Sequence, residues 1–308
     1  MARFNFDPHW LANLQRRASQ APSRPRVPLL ASGQVIGTVL SKVCEQIVNR
    51  PSNNNNSLLL KQEQTSVGGW EINGPITATL NRIAQALRDG QAGPDAQRFV
   101  KHFWRDEQLG VVNAQGALLG SVERGAVRPL GIATRAVHLV GRTESGGMWV
   151  QQRALDKAND PGQWDTLMGG MIGVNDSLHS ALARETREEA GLQLDQLREL
   201  TQRGRVNISR PTDDDAPGGS ATFARSTTSA TPGIGYMVEV IDWFDSVVPE
   251  GVMPVNQDGE VAQFQLLDIP ELVERLQGNE FTLEASMILV AALNALPFHE
   301  ANEGAGAP

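Results

Sequence analysis

The chain of 308 residues carries one cysteine, Cys44. A lone cysteine excludes an internal disulfide and fits a reducing cytoplasm. It lies in Val43-Cys44-Glu45-Gln46-Ile47, an amphipathic stretch where a thiol packs as a small apolar group. No apolar run approaches the roughly 18 residues that would span a bilayer, so no membrane partner is expected. The start Met1-Ala2-Arg3-Phe4-Asn5-Phe6-Asp7-Pro8 has neither the basic opening nor the apolar core of a secretory signal. Dense Lys/Arg blocks are missing too. With 27 basic and 35 acidic residues the formal charge is −8, which speaks against nucleic acid as a partner. Such a chain is also a poor host for a polyanionic small molecule unless a cation accompanies it, and a divalent metal resolves that conflict.

What is present is a globular composition, 40% apolar and 20% charged. Spacing predicts a short helix near Trp10–Arg17, a hairpin over Val27–Ile36 with its turn at Gly33, and helices over Leu40–Val48 and Ile76–Leu87. Paired strands are expected at Leu109–Val112 and Leu118–Val122, closing an N-terminal α+β domain at residues 1–130. Asn49–Asn56 reads as a solvated low-complexity loop. From Ala136 the pattern changes to a hairpin, Val137–Gly141 with Met148–Arg153, then Trp164–Met168 and one strong helix over Ser177–Ala190. Strands at Tyr236–Phe244 and Gln263–Leu267 and a helix at Leu283–Leu296 complete a second domain, 131–300, with 301–308 as a flexible tail. Between them Arg210–Gly233 lacks apolar periodicity and is expected to be disordered or a lid.

The helix Ser177–Ala190 carries the functional signal. Asp176 suits its N-cap and Gly191 its C-terminal stop. Leu178, Ala181 and Leu182 define an inward stripe, and the same stripe continues onto Glu185 and Glu189, with Glu188 one step around. At roughly 6 Å and an effective dielectric near 20, each like-charge pair costs on the order of 3 kcal/mol, and desolvation adds to that. Arg184 neutralises only one charge. A hard divalent cation, Mg²⁺ or Mn²⁺, would remove most of the penalty. Ahead of the helix, Met168-Gly169-Gly170-Met171-Ile172-Gly173 reads as a small-residue loop whose backbone can approach a ligand. Against this stands a plain solvated acidic helix end, which leaves the glycines unexplained.

Together these residues resemble the Nudix box: a glycine, five residues, an acid, seven residues, then Arg-Glu-x-x-Glu-Glu-x-Gly and an apolar residue. Gly170, Asp176, Arg184, Glu185, Glu188, Glu189, Gly191 and Leu192 take those positions. Asp176 stands where the family usually has Glu, and Thr186 where it has an aliphatic residue. The resemblance implies an α+β chain whose Nudix part is an α/β/α sandwich around a mixed sheet, preceded by the smaller α+β domain. It implies a metal-dependent hydrolase of a small organic diphosphate, with Gly170, Glu185, Glu188 and Glu189 as metal ligands and Arg184 as orienter. Homodimers are common among such relatives. Trp104-Arg105-Asp106-Glu107-Gln108-Leu109 and Arg128-Pro129-Leu130-Gly131 resemble the domain that precedes Nudix modules in a subfamily linked to thiamine diphosphate metabolism. Thiamine diphosphate or a damaged analogue is therefore the expected substrate, with ADP-ribose and other nucleoside-diphosphate derivatives as rivals.

Glu260, in Gln257-Asp258-Gly259-Glu260, is a candidate base or extra ligand, set against an exposed turn. Arg135, His138, Gln152 and Arg153 are candidate substrate contacts on the hairpin, set against ordinary surface roles. Trp149 and Trp164 could stack on a ring, with core packing as the main expectation. Three rival classes remain open: a Nudix binding module without turnover, an isoprenoid-diphosphate isomerase, and a pure interaction protein.

Overall fold

A computed structural model of the chain describes residues 4, 6–49, 59–62, 68–212 and 234–295. Pro8–Ala18 (α1) is capped by Asp7, whose carboxylate accepts from the His9 and Trp10 amides. Val27–Ala31 (β1) and Gln34–Val39 (β2) form the expected hairpin, with Ser32 and Gly33 both at positive φ. Ser41–Asn49 (α2), Leu60–Gln62 (β3), Trp70–Ile72 (β4), Ile76–Arg88 (α3) and Pro94–Phe103 (α4) follow, and the strands order as β2-β1-β4-β3. The hairpin Gln108–Val112 (β5) with Leu118–Glu123 (β6) packs on α3. One core unites them, including Leu29, Ile47, Leu80, Ile83, Val111 and Leu130. Cys44 lies inside it, where burial pushes the thiol up to about 12, and that suits packing rather than nucleophilic chemistry.

A seven-stranded sheet dominates the rest. Its strands are Ala133–Arg142 (β7), Met148–Arg153 (β8), Trp164–Asp165 (β9), Met168–Met171 (β10), Arg198–Pro211 (β11), Tyr236–Val247 (β12) and Val261–Leu267 (β13). The order is β11-β12-β7-β8-β13, with β10 on β7 and β9 on β8, and only β12 runs parallel to β7. Side chains alternate across the strands. Val137 and Leu139 therefore pack with Ala181 and Leu182 of Leu178–Ala190 (α5), while Ala136 and Val140 share a second core with Leu14 of α1 and Ile288 of the last helix. Ile269–Gln277 (α6) and Leu283–Ala295 (α7) close that second face. The result is the expected α+β architecture, a mixed sheet between helices preceded by an N-terminal region. Among the described residues no helix is long and apolar enough to cross a membrane.

Several expectations need correction. The stretch Met168–Gly173 is not all loop: Met168–Met171 is a strand in register with Leu139 to Ala136, and small residues there admit neighbouring side chains rather than a turn. The helix α1, grouped by sequence order with residues 1–130, packs its face of Leu14 and Ala18 against α7 and β11. Amphipathic spacing reveals a face but not its partner. The polar strand β11 runs to Pro211, where Arg210 and Pro211 pair with Met237 and Tyr236 of β12, and earlier along it arginines meet buried aspartates of β12: Arg205 with Asp242 at 2.9 Å, and Arg203 with Asp245. The helices α4 and α6 were not anticipated, although each has Pro in its first turn. Most of the Asn49–Asn56 segment, most of Arg210–Gly233 and the 301–308 tail lie outside the described residues.

Candidate active site

The acidic helix starts one residue later than Asp176 would set it. Ser177 is the N-cap, its hydroxyl accepting from the Ser180 amide at 3.0 Å in a reciprocal box with the Ser180 side chain. Gly191 ends it at φ 67°, in the left-handed region. Asp176 is thereby released from capping and pairs with Arg184, Oδ2 to Nη2 at 2.8 Å. The other arm of Arg184 donates to Glu185 Oε1 at 2.9 Å and Glu188 Oε2 at 3.3 Å. One guanidinium thus gathers three carboxylates, a geometry Lys could not supply.

Glu185 and Glu189 turn inward. Glu189 is buried, and its Oε2 accepts from the Gly169 amide at 3.0 Å and Gln151 Nε2 at 2.9 Å. Glu185 lies over Gly170 so closely that a Cβ there would sit 2.1 Å from its Cδ. At Gly169 a Cβ would sit 2.4 Å from the His138 ring. The two glycines are needed for side-chain room on opposite faces of one strand, and neither takes a positive φ. Burial pushes the Glu185 carboxyl up to about 7, against the pull of Arg184 and helped by Glu188 and Glu260. Burial likewise pushes Glu189 up to about 8, against the Gly169 amide and helped by Glu185. Glu188 is half-exposed at the edge.

Among the described residues no three His, Cys, Asp or Glu side chains stand at metal-ligating spacing. Arg184 draws Glu185 and Glu188 to itself instead. The donor chemistry nonetheless fits a hard divalent cation: the inward carboxylates are desolvated and mutually repulsive, and the Gln151 carbonyl oxygen beside Glu189 is buried with no hydrogen-bond partner. Gln151 was not singled out from sequence, yet it sits on the same strand parity as core Trp149. A polar residue on the apolar side of an alternating strand was the available signal.

The family model for the NUDIX domain matches residues 132–286, half of the molecule and the whole of this site. The chain belongs to the Nudix family. An uncharacterized protein of Saccharomyces cerevisiae is 26% identical over 195 residues, covering 61% of this chain and 54% of its own length. Nudix hydrolase 20, chloroplastic, of Arabidopsis thaliana is 29% identical over 164 residues, covering 52% of this chain and 38% of its own. The Nudix chain described here therefore spans about half or less of these relatives. A crystal structure of a Deinococcus radiodurans protein superposes at TM-score 0.42 with 21% identity, over 61% of this chain and 99% of that one.

The remaining Nudix-region candidates do not converge. Arg135 pairs with buried Asp242 at 3.0 Å on one face of β7. His138 lies buried on the other face, Nδ1 2.9 Å from the Thr166 hydroxyl, which donates its own proton to Met168 O at 2.8 Å. Nδ1 then donates to the Thr166 hydroxyl, with Asp165 Oδ1 3.6 Å away. Gln152 donates to Gly162 O at 3.0 Å, and Arg153 holds Asn159 O at 3.2 Å and Asp165 at 3.4 Å. These are contacts that fix the 159–163 loop. Glu260 is half-exposed and paired with Lys157; burial alone would raise its carboxyl, but that lysine holds it below the usual range. Trp149 and Trp164 are core residues.

Proposed function

We propose that the chain is a metal-dependent hydrolase that splits the diphosphate linkage of a small organic diphosphate. The observation that carries this is Glu189, buried between Gln151 and the Gly169 amide, with Glu185 folded over Gly170. Desolvated carboxylates gathered beside a backbone strand have little structural use and an obvious cation-binding one. Glu185, Glu188 and Glu189, with Gly170 offering its carbonyl, would hold Mg²⁺ or Mn²⁺. Such a cation supplies charge to the diphosphate oxygens and acidifies the attacking water. Arg184, anchored by Asp176, aims the Glu185 and Glu188 carboxylates. A box glutamate would accept a proton from that water, with Glu260, at the rim and paired with Lys157, as the alternative acceptor. Glu260 remains assigned to the outer shell of the site, through its field on Glu185.

Thiamine diphosphate or a damaged analogue is the substrate we favour, on the resemblance at Trp104–Leu109 and Arg128–Gly131. ADP-ribose is the second reading, as a generic organic diphosphate. A phosphate-release screen with Mg²⁺ over thiamine diphosphate, its oxidised analogues and ADP-ribose tests both. Metal-dependent turnover lost in Glu188→Gln/Glu189→Gln supports the assignment; binding without turnover of any of them favours a non-catalytic module.

A further inference from the structure

Two stretches have no part in the chemistry proposed above, and yet they meet: Arg128-Pro129-Leu130-Gly131 and the connection 154–163 between β8 and β9. In the first, Leu130 is core, and Gly131 turns at φ 53° where a Cβ would stand 2.5 Å from the Thr38 carbonyl oxygen. The backbone of Arg128 is fixed on both sides. Its carbonyl accepts from the Tyr236 amide at 3.0 Å, and Arg26 donates to the next carbonyl, that of Pro129. The side chain of Arg128 crosses the seam between the N-terminal unit and the sheet. Nη1 donates to Asn159 Oδ1 at 3.1 Å, Nη2 lies 3.7 Å from Met237 Sδ, and the guanidinium stands 5.2 Å from the Phe103 ring centroid. Held at the ring and at both ends of its fork, it has little freedom.

The connection 154–163 is neither helix nor strand, and Asp160 and Gly162 both take positive φ within it. Tethers rather than a ladder therefore set its place, and it reaches the box by two routes. On the first, Asn159 O accepts from Arg153 Nε and Nη2, both at 3.2 Å, and Arg153 Nη1 meets Asp165 Oδ2 at 3.4 Å. Asp165 stands opposite Gln151 where β9 pairs with β8, both side chains are buried, and Gln151 Nε2 donates to Glu189 at 2.9 Å. On the second, Lys157 pairs with Glu260, whose carbonyl accepts from the Ala154 amide at 2.9 Å.

We infer that Arg128 is a positioning residue: by holding Asn159 it seats the 154–163 connection, and through Arg153, Asp165 and Gln151 that seat fixes the Glu189 carboxylate against the Gly169 amide. The N-terminal unit thereby acts on the box without contributing a ligand to it. That role presupposes the hydrolase reading, whereas the seat itself is measurable without turnover.

The test follows amide hydrogen exchange by NMR in the full chain with chelator, at Gly162 in the connection and at Gly169, whose N–H Glu189 accepts at 3.0 Å. Arg128→Met keeps the apolar stem and loses the donors; Asn159→Leu removes the acceptor from the other side. Each should speed exchange at both glycines about 10-fold, the effect of one lost hydrogen bond on a local opening. The double variant should go no further than the worse single one. Asn159→Asp, with an acceptor at the same position, should restore most of the protection. In a phosphate-release assay Arg128→Met and Asn159→Leu should each lower kcat about 10-fold with KM changed less than about 2-fold, as for a group that aims the site rather than grips the substrate. Unmoved Gly169 exchange in both single variants, additive effects in the double, or unchanged kcat in a chain that turns over overturns the inference. No phosphate release by the unaltered chain would sink the hydrolase reading alone, and Gly169 exchange then still decides this one.

Discussion

Adding a single methyl group at Gly170 separates the site from the fold. The new Cβ would stand 2.1 Å from Glu185 Cδ and 2.3 Å from its Oε1, whereas ordinary contact begins near 3.4 Å, so the carboxyl must retreat by about 1.3 Å. Glu185 is the end of a flexible side chain, and Gly170 sits in extended strand that Ala adopts freely. The folding cost is then one off-ideal rotamer, about 1 kcal/mol, or roughly 2–4 °C in Tm. Displacement of a reacting group by about 1 Å costs on the order of 100-fold in rate. Gly170→Ala should therefore keep its fold and lose about 99% of its Mg²⁺-dependent phosphate release. Gly169→Ala is the contrast. There the obstacle is the buried His138 ring at 2.4 Å, locked by Thr166, so stability falls by about 2 kcal/mol or more. Thermal unfolding alongside a phosphate-release assay measures both. A Gly170→Ala chain with near-normal turnover, or one that unfolds as readily as Gly169→Ala, refutes the reasoning.

Folding stability without added divalent metal should depend on pH through the raised Glu185 and Glu189. Folded values of about 7 and about 8 exceed the ordinary 4.5, so the contribution is fully present below about pH 4.5 and declines as pH rises to about 8. Urea unfolding in chelator at pH 5 and 8.5, with Glu189→Gln as reference, reads the difference, and an equal slope in that variant argues against it. Thr186→Val should stabilise by about 1 kcal/mol with turnover unchanged, because the buried Thr186 hydroxyl has no partner; a loss of stability in denaturant melts contradicts this. Asp176→Asn should lower kcat about 10-fold with little effect on KM by loosening Arg184, and an unchanged kcat disconnects Asp176 from the site. Glu260→Gln should cost less than 10-fold in kcat; a loss of 100-fold or more would make it the base after all.

The helix and its carboxylates were legible because helical spacing and a fixed 23-residue motif are both local. Spacing put Glu185 and Glu189 on the inward stripe, and they are there. It could not reveal that Asp176 would pass the cap to Ser177, since both residues cap well and only Arg184, eight positions on, decides between them. The glycines pointed to a close approach, but the neighbour is a glutamate on one face and a histidine on the other, a pairing created by the strand register of β10 on β7. Gln151, Thr166 and Asp165 escaped notice because each matters through a partner distant in sequence. Arg135, His138, Gln152 and Arg153 looked like one surface on a hairpin. Strand alternation and the 159–163 loop send them to different neighbours.

The placement of α1 has a bearing on how this chain comes to be folded. Its apolar face belongs to a core completed by α7, so residues 8–18 await residues 283–295. Contacts of such sequence separation form late and slow the overall rate. During synthesis α1 stays uncovered until residues 283–295 have emerged, and a cut near residue 130 would strip Leu14 and Ala18 from the Nudix half. The two halves are separable on paper but interlocked in assembly, and expression of the Nudix half by itself should yield an aggregation-prone fragment.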